Sequence, residues 1–166
     1  MSGAGESGPR SEPRPEELDE AAEKIFEITK MAWMARSQQR PQKGQPDLTE
    51  SEFLALDSLV KAAPEPLTVG EIQRRIRVLP AQMSRVIRSL ENKAGKALIR
   101  CRINPKDKRK VDVSLTRAGR SAHASFRESR LSQLVEMVAH LTGQDRSELM
   151  RILQQIQEYV RKRLES

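Results

Sequence analysis

The stretch LIRCRINPKDKRKVDVSLT, residues 98–116, carries the most informative pattern in the chain. Apolar and polar residues alternate over 99–103 and again over 111–115, which is the period of a strand with one buried face. The segment between them is too long for a two-residue turn. The stretch therefore predicts a β-hairpin whose tip holds four cations and one carboxylate in five positions, namely Lys106, Asp107, Lys108, Arg109 and Lys110.

Three helices are predicted upstream of this hairpin. Thr49 and Thr68 are each followed three residues later by a glutamate, which is the capping-box pattern, and we expect helices over 49–63 and 68–77. Pro80 suits the first position of a third helix, where its missing N–H has no partner in any case. The expected core residues are Phe53, Leu56 and Val60 in the first helix and Met83, Val86, Ile87 and Leu90 in the third.

The outer face of the third helix holds no apolar residue larger than alanine. It carries Ala81, Gln82, Ser84, Arg85, Arg88 and Ser89. In a major groove, glutamine can pair with adenine and arginine with guanine at the base edges. The pattern therefore predicts a DNA-reading helix, with Gln82, Ser84, Arg85 and Arg88 as its contacts. The alternative is a solvated helix face, which the adjacent basic hairpin disfavours.

Charge is concentrated in the middle of the 166-residue chain. Residues 71–120 hold 15 of the 30 Lys and Arg but only four of the 23 Asp and Glu, a local net charge of +11, whereas the remainder carries −4. General solubilisation would spread both signs over the chain. The distribution therefore favours a polyanionic partner, and double-stranded DNA fits the helix and hairpin best.

Several classes of protein are not supported by the sequence. The single cysteine, Cys101, cannot form an intramolecular disulfide, and no run of apolar residues suits a signal peptide or a membrane span. We expect a soluble cytoplasmic protein with no membrane partner. The chain also has no CxxC, HExxH, GxSxG or glycine-rich phosphate motif. We therefore expect no enzyme activity, no metal site and no cofactor.

The flanking segments predict self-association. Residues 1–14 have the composition of a disordered tail, 15–38 of an amphipathic helix and 41–47 of a loop. After Thr116, a predicted cap, a helix runs to about His140, and a last helix opens at Asp145. One small domain cannot cover the apolar stripes of both 15–38 and 145–164, so we expect a homodimer. An intramolecular helical cap is the alternative.

The order of helices and hairpin is that of a winged helix-turn-helix, and from Leu48 to Gly119 the chain resembles the MarR (multiple antibiotic resistance regulator) family of transcription factors. The matching motifs are LT at 48–49, SRVIRSLE at 84–91, LIRCRINPKDKRK at 98–110 and SLTRAG at 114–119. The resemblance implies that Arg109 enters the minor groove while Asp107 holds its guanidinium in a fork-shaped ion pair. The hairpin lysines would attract phosphates. Asp107 can also be read as a turn-forming residue.

The expected architecture is mainly α with a small β-hairpin wing and terminal dimerisation helices. Residues 15–47 would form the N-terminal dimerisation segment, 48–119 the DNA-binding domain and 120–166 the C-terminal dimerisation helices. The turn at 93–98 looks about three residues longer than is usual in the family. The resemblance therefore does not fix how far the wing extends relative to the third helix.

By resemblance, a small molecule would lower the DNA affinity of a repressor, and Trp33, Phe26 and Met34 are candidates to line its pocket, although each can equally be core or interface filler. Two alternatives stay open. Oxidants could act through Cys101, although its alternation with Ile99 and Ile103 favours a packed strand residue. The domain could also bind protein or RNA in place of duplex DNA.

Overall fold

The computed structural model describes residues 14–38 and 47–165, and the chain divides into two units, residues 1–42 and 43–166. In the first unit, the predicted amphipathic helix is α1 (Pro15–Gln38). Arg14 forms an ion pair with Glu17 at its start, 2.5 Å from nitrogen to oxygen. The predicted tail at 1–14 lies outside the described residues apart from Arg14, and the predicted loop at 41–47 apart from Asp47.

The second unit begins with the predicted three helices and the hairpin. Both capping boxes form, because Thr49 and Thr68 each accept a hydrogen bond from the backbone N–H of the glutamate three residues later, and each glutamate accepts one from the threonine N–H. The elements are α2 (Glu50–Ala62), β1 (Leu67–Thr68), α3 (Val69–Ile76), α4 (Pro80–Glu91), β2 (Ile99–Ile103) and β3 (Val111–Leu115). The predicted fold class is therefore confirmed.

The sheet has one strand more than the sequence predicted. β2 and β3 form the expected antiparallel hairpin, with Cys101 opposite Val113. β1 pairs with the other edge of β3, where Leu67 also lies opposite Val113, so the strand order is β1-β3-β2. A strand of two residues shows no alternation in sequence, which is why it was missed.

The core lies where α2, α3, α4 and the sheet meet. Its fully buried large side chains are Leu56, Ile72, Met83, Leu90, Leu98, Ile99 and Val113. The stripe predicted for α2 is only partly correct: Leu56 is buried together with Ala55 and Leu59, whereas Phe53 and Val60 are half-buried. Phe53 instead stacks on His123 and Phe126, which lie in the long helix after the hairpin. In α4, Met83, Val86 and Leu90 are buried as predicted, and Ile87 is half-buried.

The turn after α4 folds back on itself. Lys93 and Lys96 exchange backbone hydrogen bonds of 2.9 and 3.0 Å, and the two residues between them, Ala94 and Gly95, have φ of 50° and 77°. Positive φ at both central residues is the signature of the tightest β-hairpin turn. The N–H of Leu98 then donates to the carbonyl of Leu90 at 2.8 Å. The extra residues are thus taken up locally, and the wing still starts beside the last turn of α4.

Two long helices complete the second unit. α5 (Arg117–Ala139) begins at the predicted cap, since the Thr116 hydroxyl accepts from the N–H of Gly119 at 3.0 Å. α6 (Gly143–Glu165) begins two residues before the predicted Asp145, because Thr142 caps it and accepts from the N–H of Asp145. No helix in the described part of the chain has the length and apolarity needed to cross a membrane.

Candidate nucleic-acid interface

The outer face of α4 is the centre of the candidate site. Met83, Val86 and Leu90 face the core and Ile87 packs beside them, so the polar side chains of the helix lie on the opposite side. The structure accordingly exposes the four predicted contact residues, Gln82, Ser84, Arg85 and Arg88. Buried and exposed positions thus follow the helical period that the sequence showed.

Two of these polar side chains, Gln82 and Ser84, each donate a hydrogen bond within the protein. The Gln82 amide nitrogen Nε2 donates to the Ser51 hydroxyl of α2 at 3.0 Å. Ser84 donates its hydroxyl hydrogen to the carbonyl of Pro80, one turn earlier, at 3.1 Å. The contact between Gln82 and Ser51 joins residues 31 positions apart, and nothing in the sequence pattern pointed to it. It fixes how the amide of Gln82 is presented at the surface.

The wing tip is shaped by Asn104, which sequence reasoning did not single out. Its carbonyl oxygen Oδ1 accepts from the backbone N–H groups of Lys106 and Asp107, both at 2.9 Å, while its Nδ2 donates to Asp112 at 2.8 Å. An asparagine before proline commonly forms such a side-chain turn, so the Asn-Pro pair was the available signal. The predicted cations, Lys106, Lys108, Arg109 and Lys110, are all exposed.

The side chain of Asp107 contacts the backbone of Arg109. Its carboxylate accepts from the N–H of Arg109 at 3.1 Å and lies 3.5 Å from Nζ of Lys110. Within residues 14–38 and 47–165, its ion-pair partner is Lys110 and not the guanidinium of Arg109. In the described residues the fork-shaped pair implied by the family resemblance is therefore not formed, and the Asp107 carboxylate takes part in a local turn. The reason is geometric, since a carboxylate two residues before an N–H closes a local turn.

A cavity of about 470 Å³ lies between the wing and α3. It is lined by Thr68, Val69, Gly70, Glu71, Arg74, Arg109, Lys110 and Val111. Three of these residues are cations, so the cavity joins Arg74 of α3 to the cationic wing. Arg74 was missed as a site residue because its position beside the wing depends on packing that periodicity does not reveal.

A buried ion pair between Glu52 and Lys93 links α2 to the turn that follows α4. The Glu52 carboxylate is 3% exposed and lies 2.8 Å from Nζ of Lys93, in the turn that follows α4. Burial alone would raise the pKa of Glu52, but hydrogen bonds from Lys93, Ser89 and the Thr49 backbone, with the charge of Lys93, hold the pKa below its ordinary value. This pair connects the start of α2 to the end of α4.

The two remaining sets of predicted residues have different surroundings. Burial raises the pKa of the Cys101 thiol to about 11, with Glu91 adding to the effect. A reactive sensor cysteine needs the opposite shift, so the structure favours the packed-strand interpretation. Trp33, Phe26 and Met34 lie on α1 and are exposed in the single chain. Among the described residues, no three His, Cys, Asp or Glu side chains lie close enough to hold a metal ion.

A basic β-hairpin beside a helix with an exposed polar face, preceded by two capped helices, defines a winged helix-turn-helix domain. Residues 48–111 match the model of the MarR family. Over these residues the chain is similar to that family. No curated protein sequence matches the chain.

Several solved structures share the fold. A mutant of S. aureus MepR is 18% identical and aligns over 83% of this chain and 97% of its own, with a TM-score of 0.67. Streptococcus pneumoniae FabT in complex with DNA is 16% identical over 90% and 99%, with a TM-score of 0.64. Bordetella bronchiseptica BpsR, in a structure on regulation of its DNA binding by 6-hydroxynicotinic acid, is 20% identical over 81% and 98%, with a TM-score of 0.54. At these identities the likeness shows the fold alone.

Proposed function

We propose that this protein is a sequence-specific transcription regulator that binds double-stranded DNA as a homodimer and represses from a pseudo-palindromic operator. One observation carries the proposal: Gln82, Arg85 and Arg88 are exposed on α4 beside a wing whose tip exposes four cations. The side chains proposed to read bases and the element proposed to bind phosphates thus belong to one compact unit. The solved complex of FabT with DNA offers a precedent within the same fold.

On DNA, α4 would occupy the major groove and the wing would lie against the neighbouring backbone. Gln82, Arg85 and Arg88 would pair with base edges, and Lys106, Lys108 and Lys110 would neutralise phosphates without regard to sequence. Arg109 would insert into the minor groove, held by the backbone turn that Asn104 and Asp107 form. Arg74 would add a phosphate contact from α3 at the edge of the cleft.

The dimer would form through the flanking helices. α1, α5 and α6 expose many large apolar side chains, among them Phe26, Trp33, Leu134, Ile156 and Tyr159. Apolar surface of this extent on single helices is typical of an interface. Residues 15–47 and 120–166 would thus serve as dimerisation segments around the DNA-binding domain at 48–119. Two-fold symmetry would place two copies of α4 about 34 Å apart, the distance between successive major grooves.

An effector would act by changing that spacing. BpsR, whose printed description concerns regulation of its DNA binding by 6-hydroxynicotinic acid, offers a small-molecule precedent. Two places in this chain could take an apolar or aromatic ligand: the α1 residues Phe26, Trp33 and Met34, and a cavity of about 610 Å³ along α5 from His123 to Glu136. A ligand that binds one dimer geometry better than the other shifts the DNA-binding population.

The test is a footprint of the full chain on the DNA upstream of its own gene, combined with sedimentation of the free protein. We expect a dimer in solution and two protected half-sites about one helical turn apart. An Arg85→Ala, Arg88→Ala double variant should keep the dimer and lose the footprint. A monomeric protein, or an equal footprint from the double variant, would contradict the proposal.

A further inference from the structure

The start of α4 differs from the starts of the other helices in residues 47–165. α2, α3, α5 and α6 each begin at a threonine whose hydroxyl accepts a backbone N–H, at 3.3, 3.3, 3.0 and 3.2 Å. α4 begins at Leu79, whose carbonyl accepts the first helical hydrogen bond from Met83 at 2.9 Å. A leucine side chain cannot cap, and aliphatic residues are among the least favourable at this position. The chain therefore keeps a destabilising residue where it elsewhere uses threonine.

Leu79 does not compensate by packing. It is 74% exposed, more than any other large hydrophobic side chain in the described part of the chain. Its neighbour Val78 packs against the core, and adjacent side chains of an extended segment point to opposite sides, which directs Leu79 to the solvent. A single exposed leucine is ordinary. An exposed leucine at an uncapped helix start is different, because it breaks two local rules at one position, and such positions concentrate at functional sites.

The position of Leu79 suggests its use. Leu79 directly precedes the helix in an extended conformation, with φ of −69° and ψ of 152°, and its exposed side chain comes three residues before the exposed Gln82. In helix-turn-helix proteins the N-terminal residues of the second helix come closest to the base edges. Of the groups that base pairs present in the major groove, the thymine 5-methyl is the apolar one. An alkyl side chain at this place fits that methyl group.

We propose that Leu79 is a specificity-determining residue that packs on the 5-methyl group of one thymine in each half-site. The inference rests on the proposed function, because it requires α4 to enter a major groove. It adds a hydrophobic contact to the polar ones made by Gln82, Arg85 and Arg88. It also gives a reason for the missing cap: serine at position 79 would start the helix better and lose the contact.

The experiment uses the full chain and duplexes selected from a random-sequence pool. Each thymine of the selected site is replaced in turn by deoxyuridine, which removes only the methyl group, and affinity is measured by fluorescence anisotropy. We expect one thymine per half-site at which the replacement weakens binding about fourfold, the equivalent of about 0.8 kcal/mol for one buried carbon. Replacements at the other thymines should have little effect.

Variants then assign the methyl effect to the side chain. Leu79→Ser should bind the thymine and deoxyuridine duplexes equally, while Leu79→Met, which keeps an alkyl chain, should still discriminate. Because serine restores a cap, Leu79→Ser should also melt at a higher temperature than the wild type. Leu79→Ala should lose the discrimination without that gain, which separates the contact from helix stability.

Two outcomes would overturn the inference and can be told apart. If the selected duplexes bind tightly but no thymine is sensitive to methyl removal, or if Leu79→Ser stays as sensitive as the wild type, then Leu79 does not read thymine although DNA binding stands. If the pool yields no duplex that the chain binds in preference to random sequence, the proposed function fails, and the role of Leu79 fails with it.

Discussion

The side-chain amide of Gln82 on α4 is held by the hydroxyl of Ser51 on α2, with 3.0 Å between Nε2 and Oγ. One of the two amide hydrogens of Gln82 is thereby committed before any ligand arrives. Gln82 is exposed, and its amide still has one hydrogen and a carbonyl oxygen, which is the donor and acceptor combination that an adenine edge requires. Ser51, 31 residues before Gln82 in the sequence, thus orients the side chain that we propose to contact a base.

Replacing Ser51 with alanine should reduce sequence preference. The variant loses one hydrogen bond, about 1 kcal/mol, and the amide of Gln82 must then be ordered on binding. We expect a loss of about fivefold on the selected duplex and no change on a scrambled one, measured by anisotropy. Ser147→Ala is the control, since Ser147 bonds within α6, to Gly143. Equal losses on both duplexes would show that Ser51 does not act through Gln82.

Breaking the ion pair between Glu52 and Lys93 should destabilise the domain. Lys93→Met leaves a carboxylate that is 3% exposed without its cation. We expect a loss of about 2 kcal/mol in the free energy of unfolding at neutral pH, below the range for fully buried pairs because the Lys93 side chain is 19% exposed. Urea denaturation measures it. The matched control is Lys96→Met in the same turn, where the lysine is exposed and should matter little.

The same pair predicts a pH dependence. The folded pKa of Glu52 lies below the ordinary value of 4.5, so its contribution is complete above that pH and disappears as the pH falls through the folded pKa. The stability difference between the wild type and Lys93→Met should therefore narrow under acid conditions. A difference that stays constant from neutral pH into the acid range would mean that Glu52 is not the group involved.

Removing the guanidinium of Arg109 should weaken binding to every duplex. Arg109→Ala is expected to lower affinity on selected and scrambled DNA alike and to reduce the slope of log affinity against log salt by about 1. The control is Arg151→Ala, an exposed arginine on α6 that is paired with Glu148. If Arg109→Ala weakens only the selected duplex, then this arginine reads the sequence of the minor groove and does not simply add positive charge at every site.

The thiol of Cys101 should be unreactive in the folded protein. Its pKa of about 11, against an ordinary 9.0, means that very little thiolate exists near neutral pH. We expect slow alkylation by iodoacetamide that accelerates as the pH rises toward 11, and ordinary rates after denaturation. Wild type and Cys101→Ser should respond alike to peroxide in a DNA-binding assay. Release by the wild type alone would restore the oxidant-sensing alternative.

Features encoded by neighbouring residues could be predicted from sequence. The capping boxes at Thr49 and Thr68 need only a glutamate three residues later, and Pro80 marks the start of α4 by its own chemistry. The alternation in 99–103 and 111–115 predicted the two strands of the hairpin, which pair with Cys101 opposite Val113. Each of these signals is contained within a few residues of the chain.

Features that depend on distant partners could not be predicted. β1 exists because Leu67 meets Val113, and the burial of Glu52 depends on Lys93, 41 residues away. Phe53 was predicted to be a core residue but is half-buried, because it stacks on His123 and Phe126. The last helix was placed two residues late because Thr142 had not been recognised as its cap. Asp107 lies beside Lys110 because its backbone N–H is held by the side chain of Asn104 in the turn at the wing tip.

If α4 and the wing form one surface that binds duplex DNA, as we claim, the affinity must depend steeply on salt. The affinity of the full chain for its selected duplex should be measured across a salt series. We expect a fall of roughly a thousandfold or more between about 50 and about 200 mM salt, as several released counterions require. An affinity that barely changes over that range would contradict the claim.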